Sequence, residues 1–168
     1  MVKNADEEEA FCFASASLRT EKAALQLIAR AEQTVSGISR KLEKRGHKSD
    51  CIRAVTARLS ETGLLNDRRY AALWLESRLS RQASTPWRLF AGLCSRGIER
   101  DDADTALKEA LDVETELRLL ERYVEKLRRL RKINDVKDAA ASRALKYLLK
   151  TEGFSYSVIQ IFFESEEY

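Results

Sequence analysis

The chain has 168 residues, 44% of them hydrophobic and 34% charged, and its 30 lysines and arginines against 27 acids give a formal net charge of +3. One proline and six glycines are too few turn residues for a barrel or sandwich of many short strands, so we expect an all-α protein. No apolar run approaches the ~18 residues that span a membrane, and the acidic N-terminus lacks the basic and apolar pattern of a signal peptide.

The first helices follow from apolar residues that recur at helical spacing. One helix is predicted to end near Glu32, and a short second helix follows it. A third helix is predicted to begin at Ser49-Asp50, which we take as a candidate N-cap pair. Gly63 is expected to end that helix, because glycine tolerates the left-handed conformation that a helix stop requires.

The next helices have clearer boundaries. Asn66 or Asp67 can cap a longer helix, which is expected to bury Tyr70 and Trp74 because they lie four residues apart on one face. Thr85-Pro86 opens a further helix, since proline is tolerated in a first turn, where its missing N–H costs little.

An internal repeat appears when three glycines, Gly46, Gly97 and Gly153, are aligned. Apolar residues stand four and eight residues before each glycine, six and nine residues after Gly46 and Gly97, and five and eight residues after Gly153. They are Ile38 and Leu42, Leu89 and Leu93, Leu145 and Leu149 before the glycines, and Ile52 and Val55, Ala103 and Ala106, Val158 and Ile161 after them. Each unit is therefore predicted to be a helix, a glycine stop, a turn and a helix, with room for one further helix between successive units.

This repeat defines the predicted fold, an elongated array of three tandem three-helix repeats. The predicted divisions are an acidic, partly disordered N-terminal extension at 1–18 and three-helix repeats at 19–65, 66–111 and 112–168.

Charge is uneven along the chain. Residues 1–18 have a net charge of −3, residues 19–100 of +9 and residues 101–168 of −3. A basic middle flanked by acidic ends favours an anionic partner, either nucleic acid or an acidic protein surface. The alternative, a solvated surface whose charge is merely uneven, stays open.

The basic residues of the middle region crowd one short helix and its turn and continue into the second repeat, where Arg outnumbers Lys. Arg can grip a carboxylate or phosphate with two parallel hydrogen bonds, whereas Lys acts as a point charge. Because helices in stacked repeats present equivalent faces, we expect one extended basic surface. The expected contacts with a partner, chosen from charge and placement, are Arg40, Lys41, Lys44, Arg45, Arg68, Arg69, Arg88 and Arg96. A second basic cluster, at 126–132, is explained equally well as compensation of a helix dipole.

Residues suited to catalysis or metal binding are sparse. The only histidine, His47, follows a helix-ending glycine, where a solvated turn residue is favoured over a catalyst. Asp101, Asp102 and Asp104 stand at a helix start, where the helix dipole accounts for them better than a metal does. The three cysteines form no C-x-x-C pair, which favours packed thiols in a reducing cytoplasm. We therefore expect no enzymatic activity, no cofactor and no metal.

Four motifs, taken in order and spacing, carry a family resemblance. The most specific is Gly63-Leu64-Leu65-Asn66-Asp67-Arg68-Arg69-Tyr70-Ala71. The others are Leu89-x-x-x-Leu93-x-x-Arg96-Gly97-Ile98, Lys41-Leu42-x-x-x-Gly46 and Gly153-Phe154-Ser155. Together they resemble the RecX family, bacterial regulators of the recombinase RecA, from Ala23 to Phe163.

The chain departs from the family pattern at two helix starts. Thr34 is followed three residues later by Gly37, where the family has Glu, and Thr85 stands where a glycine is usual before Pro86. The first departure removes half of a capping box and so lowers the expected local stability of the first repeat.

The resemblance implies a non-enzymatic protein of the cytoplasm, most simply a monomer, that binds the RecA–DNA filament through its basic surface. It implies inhibition of RecA's ATP hydrolysis, strand exchange and stimulation of LexA self-cleavage, and hence regulation of DNA repair, recombination and the SOS response. The alternative is a sequence-nonspecific protein that binds single- or double-stranded DNA directly, with an affinity that falls steeply with salt. A helical scaffold for another partner is the third reading, and no membrane partner is expected.

Overall fold

The computed structural model describes residues 2–130, 133 and 139–166. Over these residues the chain forms nine α-helices and no β-strand, which confirms the all-α prediction. No helix in these ranges is long and apolar enough to cross a membrane. The helices are α1 (Val2–Ile28), α2 (Val35–Glu43), α3 (Ser49–Glu61), α4 (Asp67–Arg81), α5 (Pro86–Cys94), α6 (Arg100–Ala110), α7 (Val113–Arg129), α8 (Ala139–Thr151) and α9 (Tyr156–Glu166).

The three glycines of the repeat each end a helix in the left-handed conformation. Their φ angles are 80° at Gly46, 86° at Gly97 and 89° at Gly153, which L side chains rarely adopt. The six apolar residues before these glycines are buried, with at most 3% of any side chain exposed. Those after them are buried too, apart from Ile161, which is 39% exposed. The chain is therefore built from tandem three-helix repeats, as predicted.

The described chain forms two compact units. The first unit comprises Met1–Tyr70 and Arg96–Ile98. Its core takes most of its aliphatic side chains from the second half of α1, from α2 and from α3, and burial of each leucine, isoleucine or valine contributes about 1.5–3 kcal/mol. The core residues are Ala24, Leu27, Ile38, Leu42, Ile52, Val55, Leu59 and Leu65.

The second unit comprises Ala71–Ser95 and Glu99–Tyr168. One face of α7 provides much of its core, packed with α9, and Phe154, Phe162 and Phe163 are buried there as the sequence indicated. Helix α4 contributes Ala71 and Leu75.

The prediction that Tyr70 and Trp74 are core residues is wrong, because both are only half-buried. The buried face of α4 lies one residue further along the helix. The indole of Trp74 instead lies over Gly92, where a Cβ atom would come within 2.5 Å of the ring.

Helix α1 differs from expectation at both ends. It is helical from Val2, within the segment that the sequence assigned to an N-terminal extension at 1–18. This segment contains alanine and glutamate and neither glycine nor proline, which favours a helix despite its acidic charge. The helix ends at Ile28, before the expected Glu32. The other repeat limits, at 65/66 and 111/112, stay predictions.

Two helix caps also differ. Lys48 precedes α3 and makes no side-chain cap hydrogen bond, so the predicted Ser49-Asp50 cap is wrong and both residues lie within the first turn. At α4, Asn66 is the cap, because its Oδ1 accepts the N–H of Arg69 at 2.9 Å. Asp67 instead accepts the N–H of Val35 at 2.9 Å, and so ties the start of α4 to the start of α2.

Candidate partner-binding surface

Four cations stand together at the end of α2. Arg40 and Lys41 lie in the last turn of the helix, and Lys44 and Arg45 follow in the turn that Gly46 closes. We call these four residues the basic turn. All four are exposed, because burial of Ile38 and Leu42 fixes which face of α2 points to the core. Within the part of the chain that the structure describes, none of them forms an ion pair with a carboxylate.

Neutral groups position the basic turn. Lys41 Nζ donates a hydrogen bond to Gln33 Oε1 at 2.6 Å, and Arg40 Nε donates to the carbonyl of Ser36 at 3.4 Å. Neither contact neutralises the charge. The carbonyl end of a helix also favours cations, so part of the basic turn is explained by the dipole of α2.

His47 holds the same turn against α1. Its Nδ1 lies 2.9 Å from Thr20 Oγ1, whose own proton goes to the carbonyl of Ala16 at 2.8 Å. The imidazole Nδ1 therefore donates to Thr20. This is a packing role, and it agrees with the prediction of a turn residue, although the side chain is half-buried rather than fully solvated.

Arg69 differs from the four residues of the basic turn because its guanidinium pairs with a carboxylate. It pairs with Glu32, with Nε 2.9 Å from Oε1, and donates to the carbonyls of Gly63 at 3.0 Å and Leu64 at 3.2 Å. It thus joins the segment after α1 to the turn before α4. Its neighbour Arg68 is exposed.

Arg96 and Arg88 lie in different units. Arg96 is half-buried in the first unit, where its carbonyl accepts the hydroxyl proton of Thr34 at 2.8 Å. Arg88 is exposed on α5 in the second unit, near Tyr123. The structure thus places seven of the eight predicted contacts in the first unit and Arg88 in the second.

The contact of Arg96 with Thr34 belongs to an arrangement that appears in both units. In the second unit, Thr85 takes the place of Thr34, and its hydroxyl donates to Glu152 Oε2 at 2.7 Å. The N–H of Trp87 also donates to the Glu152 carbonyl at 3.0 Å. The other Glu152 oxygen accepts the hydroxyl of Tyr123 at 3.2 Å. Burial and this carboxylate raise the pKa of the Tyr123 phenol above its usual value.

Among the residues that the structure describes, no group of three or more histidine, cysteine or acidic side chains lies close enough to hold a metal ion. Of the cysteines described, Cys51 is buried, Cys94 is half-buried, and both are free thiols.

Sequence reasoning missed a second basic surface, on α8. Division of the chain into thirds hid it, because residues 101–168 are acidic on average. Residues 139–151 contain three lysines and arginines and no acid. A shorter window would have revealed this stretch.

Comparison with known proteins gives one consistent family. Residues 66–107 match the model described as the second three-helix domain of RecX. Regulatory protein RecX of Treponema pallidum (strain Nichols) is 33% identical over 120 residues, which cover 71% of this chain and 73% of that protein. Regulatory protein RecX of Mycobacterium marinum (strain ATCC BAA-535 / M) is 33% identical over 135 residues, which cover 80% of this chain and 76% of that protein.

Solved structures show the same fold. A crystal structure of regulatory protein RecX superposes with a TM-score of 0.78 at 22% identity, over 95% of this chain and 77% of the other. The crystal structure of RecX from Lactobacillus salivarius superposes with a TM-score of 0.70 at 23% identity, over 90% of this chain and 97% of the other.

Proposed function

Because the chain belongs to the RecX family of regulatory proteins, we propose that it is a non-enzymatic inhibitor that binds the RecA–DNA filament. It acts in the cytoplasm, on DNA repair, recombination and the SOS response. The observation that carries the proposal is the basic turn, in which four exposed cations share one short helix and its turn.

The availability of these charges supports a partner of opposite charge. An ion pair within the chain would already satisfy them, and the described residues provide none. Complementary charge across an interface mainly raises the rate of association and fixes orientation. Arg68, Arg88 and Arg96 stay predicted contacts, whereas the pairing of Arg69 with Glu32 favours an internal role for Arg69.

The test is the single-stranded-DNA-dependent ATPase rate of RecA from the same organism, with this protein added well below one copy per RecA. We expect the rate to fall. The double variant K44E/R45E should require about tenfold more protein for the same effect, since tenfold corresponds to ~1.4 kcal/mol lost at an interface. Inhibition that is unchanged in this variant would contradict a role for the basic turn.

A matched control is available in the same unit. Arg19 and Lys22 are exposed on α1 and form no ion pair with any residue that the structure describes. The variant R19E/K22E makes the same change in net charge and should inhibit like the unmodified protein. An equal loss in both variants would indicate a general effect of charge rather than a surface.

The alternative function, direct DNA binding, is distinguished in parallel. It is supported by the same exposed cations, which suit phosphate as well as carboxylate. If the RecA rate is unchanged while DNA affinity falls steeply between about 50 and 200 mM salt, the direct-binding function replaces the proposal. If neither effect is seen, both functions are excluded.

A further inference from the structure

The exposed side of α8 carries positive charge and no negative charge. The helix contains Arg143, Lys146 and Lys150 and no acidic residue. Within the residues that the structure describes, none of the three is paired with a carboxylate. The helix therefore presents uncompensated positive charge in a third of the chain whose average charge is negative.

An aromatic ring lies between these cations. Arg143, Tyr147 and Lys150 are spaced by four and three residues, so they share one helix face over about 10 Å. All three are exposed, while Leu145 and Leu149 of the same helix are buried and fix its rotation. The order along this face is cation, ring, cation.

A second ring belongs to the neighbouring helix. Tyr156 begins α9 and is 78% exposed, and Tyr147 is 72% exposed, more than any other large hydrophobic side chain that the structure describes. Neither phenol hydroxyl has a hydrogen-bond partner among the described residues. Neither ring is therefore needed to pack the core, and the faces of both rings are available for stacking.

A cleft of about 260 Å³ lies beside Tyr156. Its apolar floor is formed by Ile159 and Phe163, and Lys146 Nζ lies 4.6 Å from the centroid of the Phe163 ring. Gln160 and Glu164 also line the cleft and are bonded to each other at 3.0 Å. The cleft therefore combines an aromatic wall, an apolar floor, the Lys146 cation and a carboxylate that Gln160 already bonds.

We propose that this surface, formed by Arg143, Lys146, Tyr147, Lys150 and Tyr156, binds single-stranded nucleic acid. Cations that follow a phosphate backbone, together with rings that stack on bases, are the two components of sequence-independent single-strand binding. A duplex keeps its base faces stacked inside, and an acidic peptide such as polyglutamate has no aromatic rings that could stack on the tyrosines. The surface is separate in sequence from the basic turn, and the inference does not rest on the proposed function.

The test measures the fluorescence anisotropy of a labelled oligothymidylate with the full chain in the absence of RecA, at several salt concentrations. Y147A and Y156A should each weaken binding by about tenfold, the usual loss for one stacked base. Y147F should bind normally, since it keeps the ring. K150Q should reduce the slope of log affinity against log salt by ~0.7, the value for one phosphate contact on a single strand.

K22Q, which removes one exposed charge from α1, is the matched control and should leave the affinity and the salt slope nearly unchanged. The inference is overturned if Y147A and Y156A bind like the unmodified chain. It is also overturned if a duplex of the same length binds as tightly, or if polyglutamate competes as well as unlabelled oligothymidylate. Because RecA is absent, failure here leaves the proposed function untouched, and failure of RecA inhibition leaves this result interpretable.

Discussion

The hydroxyl of Thr34 donates a 2.8 Å hydrogen bond to the backbone carbonyl of Arg96, which lies 62 residues further along the chain. The same oxygen accepts the N–H of Gly37 at 2.9 Å, so one side chain both caps α2 and holds the turn at Gly97. Thr85 caps α5 in the same way, but its hydroxyl donates to the side-chain carboxylate of Glu152 rather than to a backbone carbonyl. At both helix starts where the chain departs from the family pattern, a buried threonine joins the helix start to the glycine turn of the following repeat.

Removal of the Thr34 hydroxyl should destabilise the first unit. T34V keeps the shape of the side chain but leaves the Arg96 carbonyl and the Gly37 N–H without their partner, which we expect to cost about 2–3 kcal/mol. T34S should cost less than ~1 kcal/mol. Urea unfolding followed by circular dichroism measures the difference. T62V, at an exposed threonine, is the control, and equal stability of T34V and T62V would contradict the double role of Thr34.

Substitution of Gly46 and of Gly97 allows the cost of backbone strain to be measured separately from the cost of a steric clash. Gly46 and Gly97 have similar positive φ angles, but a Cβ atom at Gly46 would meet nothing within 4 Å, whereas at Gly97 it would lie 2.2 Å from Ser36 Cβ. G46A should cost only the strain of the left-handed conformation, about 1–2 kcal/mol. G97A should cost at least ~1 kcal/mol more, because a closely packed neighbour must move. Both values come from urea unfolding.

The variant S36G can confirm the cause. It removes the atoms that an alanine at position 97 would meet, so G97A should be less damaging in the S36G background than alone. If G97A lowers the free energy of unfolding by the same amount with and without S36G, the contact with Ser36 is not the cause of its damage.

Arg69 is expected to affect folding weakly and inhibition of RecA not at all. Its side chain is 43% exposed and that of Glu32 36%, so solvent screens the pair and R69Q should lower stability by about 0.2–1 kcal/mol. E32Q breaks the same pair from the other side and is the matched control. In the RecA ATPase assay the two variants should behave alike. A loss of inhibition in R69Q alone would restore Arg69 as a partner contact.

The sequence was sufficient for the repeat because the repeat is a local pattern. A helix-ending glycine and the apolar residues on either side of it are visible without knowledge of the fold. The structure places all three glycines in the left-handed conformation and buries apolar residues on both sides of each. Ile161 is the exception because it stands eight residues after Gly153, whereas Phe162, which stands nine residues after Gly153 as Val55 does after Gly46, is buried.

Features that depend on distant partners were not predictable in this way. Asn66 and Asp67 are both good capping residues, and the choice between them depends on Val35, whose N–H Asp67 accepts. The predicted cation Arg69 has the right charge and exposure, but the carboxylate that occupies it is 37 residues away. Placement on a helix can be read from a sequence, whereas the partner of a charged group depends on tertiary structure.

The cap of α7 should make stability depend on acidic pH. Asp112 Oδ1 accepts the N–H of Thr115 at 2.7 Å. This bond, followed by the Thr115 hydroxyl and the charge of Arg118, holds the pKa of Asp112 below its usual value. Because the pKa is lower in the folded chain than in the unfolded one, the ionised cap contributes its full stability above the unfolded pKa, near ~4. That contribution is lost as pH falls through the folded pKa.

The variant D112N isolates this effect, since asparagine caps a helix about as well as aspartate but does not titrate. The difference in unfolding free energy between the unmodified chain and D112N should be constant from pH 7 to about pH 5 and should then shift against the unmodified chain below ~pH 4. Urea unfolding at several pH values measures it, and the other carboxylates titrate equally in both proteins. D112A, which loses the cap itself, should be less stable than D112N at every pH. A difference between the unmodified chain and D112N that stays constant down to pH 3 would show that ionisation of Asp112 does not stabilise the cap.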